Sequence, residues 1–96
     1  MTTEDRKSVR VSITGRVQGV WYRAWAIEQA TLRGLNGWVR NRRDGSVEAL
    51  FSGPVAMVDD MVAACRNGPK MARVESVEAF DAEAPKGEGF AELPTA

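Results

Sequence analysis

The dipeptide Asp44-Gly45 lies between two runs with strand-like patterning, Gly37 to Asn41 and Ser46 to Phe51. Asp-Gly is a strong hairpin signal, because glycine takes a positive φ without steric penalty. An antiparallel hairpin near the middle of the chain follows, and the segments flanking it decide the fold. Upstream, Val9, Val11, Ile13 and Val17 share one parity with polar residues mostly on the other, the pattern of a half-buried strand. Tyr22 to Arg33 then contains no Gly or Pro and ends at Gly34, which suits a left-handed helix C-terminus.

Downstream, Ser52-Gly53-Pro54 supplies a capping residue type and a proline for the first turn of a second helix. In that helix Val58, Met61, Val62 and Cys65 recur at i, i+3, i+4 and i+7. Gly68-Pro69 stops it, Arg73 to Phe80 reads as a fourth strand, and Asp81 to Gly89 as a loop. Phe90 to Leu93 adds a short fifth edge strand, which Pro94 ends. The order is βαββαβ, and each helix sits in a crossover long enough to join strands that run parallel. Right-handed connections then put both helices on one face. The expected fold class is α/β (α+β), a ferredoxin-like sandwich with an antiparallel sheet. Residues 9–93 are expected to form the domain, residues 1–8 a flexible N-terminal tail and residues 94–96 a C-terminal tail.

A chain of 96 residues accommodates one core and no second domain. No apolar run approaches the ~20 residues a membrane span requires. Met1 to Ser8 is polar and charged and lacks the apolar stretch of a secretory signal. A single cysteine, Cys65, makes no internal disulfide and is compatible with a reducing compartment. The chain is expected to be cytoplasmic, monomeric and without a membrane partner.

Net charge is zero, yet residues 1–43 hold nine Lys/Arg against three Asp/Glu, and residues 44–96 hold four against ten. A local basic site is consistent with this; a broad basic face is not. A small anionic ligand fits better than a long polyanion. The chain also has no histidine. That removes the commonest general base, the Ser-His and Cys-His nucleophile pairs and histidine metal ligands. One cysteine excludes a cysteine-rich zinc site as well. What remains for chemistry is arginine, amides, hydroxyls, carboxylates and oriented backbone N–H groups.

Those groups concentrate in Gly15-Arg16-Val17-Gln18-Gly19-Val20-Trp21-Tyr22-Arg23, where a strand passes into a helix. Free N–H groups and the helix dipole at such a junction attract anions. Gly15 and Gly19 allow a tight turn, and the planar fork of Arg23 can hold two phosphoryl oxygens at once. On these grounds alone, a structural turn beside a surface arginine is an equally good reading.

Residues 15–23 resemble the signature of the acylphosphatase family, and Gly34-Leu35-Asn36-Gly37-Trp38-Val39-Arg40-Asn41 resembles its second motif. The similarity runs from Val9 to about Phe80. The resemblance implies hydrolysis of the carboxyl-phosphate bond of an acyl phosphate, giving carboxylate and inorganic phosphate. It implies that Arg23 binds the phosphoryl group with the backbone amides of Gln18, Gly19, Val20, Trp21 and Tyr22, and that Asn41 orients the attacking water. Neither a metal nor an organic cofactor is implied. Trp21 stands where the family usually has glycine or phenylalanine, and Tyr22 where phenylalanine is common, which bears on substrate preference.

Other conspicuous residues have ordinary structural readings. Asp59 and Asp60 are adjacent in a helix and point apart, Cys65 lies on an apolar stripe, and Trp25 and Trp38 read as packing residues. Arg40, Arg42 and Arg43 read as solvated charges. Two alternatives to an enzyme are an RNA-binding ferredoxin-like domain using Trp38, Tyr22 and these arginines, and a silent module that recognises carbamoyl phosphate or a protein. The segment Ser46 to Leu50 lacks the aromatic platform of the first, so no nucleic-acid partner is expected. Arg23 and Asn41 together speak against the second.

Overall fold

A computed structural model describes residues 5–96 of the chain. Five strands and two helices alternate as β1 (Arg6–Arg16), α1 (Tyr22–Leu32), β2 (Asn36–Asn41), β3 (Val47–Pro54), α2 (Val55–Cys65), β4 (Arg73–Asp81) and β5 (Phe90–Glu92). The sheet order is β4-β1-β3-β2-β5. β3 lies antiparallel between β1 and β2, and β1 lies antiparallel between β3 and β4. Each helical crossover therefore joins two parallel strands with one antiparallel strand between them, the ferredoxin-like arrangement read from the sequence. β5 is the exception: it pairs parallel with β2 through Gly37 to Val39, so the sheet is mixed rather than wholly antiparallel.

Val9, Val11 and Ile13 of β1, Val39 of β2, and Val47, Ala49 and Phe51 of β3 are buried with Tyr22, Ala26 and Ala30 of α1 and Val58, Met61 and Cys65 of α2. Complete burial of each large side chain in this layer contributes about 1.5–3 kcal/mol relative to exposure. Phe90 of β5 joins the same layer, its ring stacked on Phe51 at 5.6 Å between centroids. Residues two apart in a strand share a face, so Glu92 is carried to the helical side with Phe90.

The C-terminus of α1 is closed by glycine, as expected. Gly34 has φ 68°, the Leu35 N–H donates to the Ala30 carbonyl and the Gly34 N–H to that of Thr31. This is the double bond pattern of a Schellman motif. The start of α2 differs from expectation. Ser52 does not cap it: β3 continues to Pro54, and the Ser52 hydroxyl instead shares a hydrogen bond with that of Ser8. Pro54 takes the cap position, and the Val55 N–H donates to the Asp5 carbonyl.

Where the structure describes them, the segments expected to be tails are also more engaged than the patterning suggests. β1 begins at Arg6, not Val9, because Arg6, Lys7 and Ser8 pair with Pro54, Gly53 and Ser52. The first four residues of the expected tail lie outside the described residues. At the other end, the Ala96 N–H donates to the Asn41 carbonyl and the Ala96 carbonyl accepts from the Arg43 N–H. Residues beyond Pro94 thus continue alongside the end of β2. No helix among the described residues is long and apolar enough to cross a membrane.

Candidate active site

β1 delivers the chain to the edge of the helical layer, and Val17 and Val20 sink into the core on either side of Gln18 and Gly19. These two apolar anchors fix the ends of a short turn whose remaining groups face out. Gly19 has φ 72° and Trp21 φ 70°, while Val20 between them has a negative φ. Alternation of this kind turns successive N–H groups toward one point, the geometry of an anion-binding nest. The first backbone bond within α1 is the Trp25 N–H to the Trp21 carbonyl. The N–H groups of Tyr22, Arg23 and Ala24 therefore lack an intrahelical acceptor, and the helix dipole adds positive potential there.

Tyr22 anchors this end of the helix. Its ring is buried and tilted against Trp25 at 5.3 Å, and its hydroxyl donates to the Cys65 carbonyl at 2.6 Å. Burial pushes the phenol far above its ordinary pKa, so it remains a donor at any physiological pH. Cys65 is buried in the core, and burial pushes its thiol up to about 11.

A cleft of about 310 Å³ opens in front of the turn, lined by Val17, Gly19, Trp21, Tyr22, Arg23, Ala24 and Glu92. Arg23 reaches into it from the first turn of α1. One of its terminal nitrogens donates to the Glu92 carboxylate at 2.8 Å, an ion pair open to solvent on both sides. The guanidinium carries five N–H donors, so this bond leaves most of the fork for a ligand.

Of the residues singled out in the sequence, Gly19, Trp21, Tyr22 and Arg23 meet at this cleft. Val20 is a core residue whose contribution is confined to its backbone. Gln18 acts through its side chain as well: its Nε2 donates to the Arg42 carbonyl at 2.7 Å and the Ser46 carbonyl at 2.8 Å. It thereby ties the turn to the hairpin that follows Asn41. Asn41 itself does not line the cleft. It ends β2 opposite Val47, and its Oδ1 is buried with no hydrogen-bond partner among the described residues.

The hairpin is held by Asp44, whose carboxylate accepts from the Ser46 N–H at 2.9 Å and the Ser46 hydroxyl at 2.6 Å. Those bonds keep the Asp44 carboxyl below the usual carboxylate range. Glu92 is the charged cleft residue that sequence patterning did not indicate. Its strand was legible, but nothing local says that a three-residue strand carries its acid to Arg23.

Arg40 and Arg42 are not simply solvated. Both pair with Glu48, as does Arg10, at 2.7, 3.5 and 3.3 Å. The Arg40 and Arg10 guanidinium groups lie 4.8 Å above the rings of Trp38 and Phe80. Of the rings the RNA-binding alternative would use, Trp38 has one face covered by Arg40 and Tyr22 is buried, which weighs against it. Asp59 and Asp60 pair separately with Lys7 and Arg33. They are not a carboxylate dyad.

A family model described as Acylphosphatase matches residues 9–91. The chain belongs to the acylphosphatase family. An acylphosphatase of Bradyrhizobium diazoefficiens is 57% identical over 97 residues, covering 95% of this chain and 98% of that one. An acylphosphatase of Rhizorhabdus wittichii is 50% identical over 91 residues, covering 95% and 92%. Among solved structures, an acylphosphatase from Coxiella burnetii superposes with a TM-score of 0.89 at 26% identity, covering 97% of this chain and 100% of that chain. Family membership makes this chain an acylphosphatase, with an acyl phosphate as substrate and phosphate as product.

Proposed function

We propose that acyl phosphate hydrolysis proceeds here without a metal ion or organic cofactor, with Arg23 and the turn amides of residues 18–22 gripping the phosphoryl group and Asn41 orienting water. The observation that carries the phosphoryl grip is the cleft in which Arg23 stands beside the unbonded N–H groups of the turn. What supports a water at Asn41 is its Oδ1, a buried acceptor with no partner among the described residues. An unpaired buried acceptor of this kind is unfavourable by about 1–3 kcal/mol, which a water molecule relieves. A carboxamide oxygen that accepts a hydrogen bond from one water fixes the direction in which that water's own lone pair points. Gln18 supports the same reading by tying the anion-binding turn to the hairpin beyond Asn41.

The bond broken is a carboxyl-phosphate anhydride. Its leaving carboxylate has a conjugate acid of pKa ~4, so it departs without an acid catalyst. The water oxygen forms the new bond to phosphorus as the bridging oxygen leaves with its electron pair. Arg23 and the turn N–H groups stabilise the equatorial phosphoryl oxygens, where negative charge is held. An amide is no base, so the water's proton passes to a phosphoryl oxygen or to solvent. Ordinary phosphate esters, with poorer leaving groups, react badly at such a site.

The test compares hydrolysis of benzoyl phosphate and p-nitrophenyl phosphate, with chelator present, in wild type, Arg23→Lys and Asn41→Ala. Rapid chelator-resistant cleavage of benzoyl phosphate alone is expected, with each substitution lowering it at least ~10²-fold, as when a preorganised transition-state donor is removed. Undiminished rates in both variants, or loss of activity with chelator, would overturn the assignment.

A further inference from the structure

Trp21 combines two features that folding does not reward. Its backbone has φ 70° and ψ 20°, and it is the only non-glycine residue with positive φ among the described residues. A bulky side chain in that region is strained, and such strain concentrates at functional sites. The residue is also 77% exposed, so little of its apolar surface leaves water. Glycine at this position would remove the strain and keep the N–H.

The location supplies the missing return. Trp21 lines the cleft directly beside Gly19, Tyr22 and Arg23. A phosphoryl group held by the turn amides and the Arg23 fork directs its oxygens inward. Its substituent therefore projects outward, through the mouth of the cleft where the indole stands. Val17 and Ala24 continue the lining beside it, and Glu92 adds a carboxylate across it. Such a mouth suits a flat or apolar acyl group and repels one that carries its own carboxylate.

We infer that the indole of Trp21 forms an acyl-group subsite selecting aromatic acyl phosphates over small aliphatic ones. This rests on the reaction and phosphoryl site proposed above. The two are separated by measuring binding as well as turnover. For turnover, kcat/KM for benzoyl phosphate and acetyl phosphate is compared in wild type, Trp21→Phe and Trp21→Gly. Comparing the ratio across variants cancels the different leaving groups. The benzoyl-to-acetyl ratio is expected to fall about 5- to 10-fold in Trp21→Gly, mainly through KM, and to be largely retained in Trp21→Phe.

For binding, phenylphosphonate and methylphosphonate, which are not hydrolysed, are titrated against the same three proteins by calorimetry. Wild type should favour the phenyl compound by a similar factor, and Trp21→Gly should not. Turnover ratios and phosphonate preferences both within about twofold of wild type in Trp21→Gly would overturn the subsite. If neither acyl phosphate is hydrolysed but phenyl preference is still lost with Trp21, the subsite stands and the proposed reaction falls.

Discussion

The guanidinium of Arg23 donates to the carboxylate of Glu92 at 2.8 Å across the mouth of the cleft. The arginine proposed to hold the phosphoryl group is thus partly neutralised by an acid carried on the three-residue strand β5. If Arg23 grips phosphate as proposed, phosphate and Glu92 compete for the same positive charge. Glu92→Gln should tighten inhibition by inorganic phosphate about 2- to 5-fold at low salt, the scale of a solvent-exposed ion pair. The gain should shrink as ionic strength rises, because exposed charges are screened over about 10 Å at 0.1 M. An inhibition constant for phosphate that is unchanged or weaker in the variant would contradict this competition.

Gln18 makes a separate prediction, because its side chain bridges two segments far apart in sequence. Its amide donates to the carbonyls of Arg42 and Ser46, and both acceptors belong to the hairpin beginning at Asn41. Gln18→Ala removes both bonds while preserving the backbone N–H. The expected stability loss is about 1–2 kcal/mol by urea unfolding. The more specific effect is on kcat, which should fall about 10-fold as the turn and the carboxamide lose their shared tether. A variant equally destabilised but with kcat of wild type would restrict Gln18 to a structural part.

Much of this fold is legible in the sequence because its signals are local. Alternating Val9, Val11 and Ile13, the Asp44-Gly45 turn and the helical spacing of Val58, Met61 and Cys65 each act over a few residues. Gly34 likewise announces the Schellman closure of α1. What is not legible depends on partners distant in the chain. Ser52 looks like a cap, yet pairing with Ser8 and β2 keeps it in a strand. The direction of β5 is set by where the loop before it returns, not by Phe90 to Glu92 themselves, so neither the parallel pairing nor the Glu92 contact was readable. The same holds for the left-handed conformation of Trp21, a residue type that gives no local sign of it.

Glu48 illustrates a polar cluster on the face opposite the helices. Its side chain is 5% exposed and meets the guanidinium groups of Arg10, Arg40 and Arg42. Glu48→Ala would leave three cations together over a small void. Because the arginine ends are partly solvated, they relax outward and limit the damage. A loss of about 2 kcal/mol is expected from urea unfolding, below the 3–5 kcal/mol of a wholly buried pair. Benzoyl phosphate turnover should be close to wild type. A Glu48→Ala protein as stable as wild type would mean the three ion pairs contribute nothing net.

Cys65 sets a limit on stability at alkaline pH. Burial raises its pKa from 9.0 to about 11, so the thiol holds its proton longer in the folded chain than in the unfolded one. Below pH 9 both states are protonated and this difference has no effect. Between 9 and 11 the unfolded chain has lost the proton and the folded chain has not, so stability falls as pH rises. The loss attributable to this group is roughly 1 kcal/mol at pH 10, from the ordinary energy of a pKa shift. Tyr22, whose hydroxyl donates to the Cys65 carbonyl, is pushed in the same direction and adds to the decline above pH 10. Cys65→Ala separates the two. It should be about 1–2 kcal/mol less stable at pH 7.5, because it leaves a small void in the core, and it should lose less between pH 8 and pH 10 than wild type does. Urea unfolding at pH 7.5, 9 and 10 measures both differences. Parallel declines in the two proteins would assign the alkaline loss to groups other than this thiol.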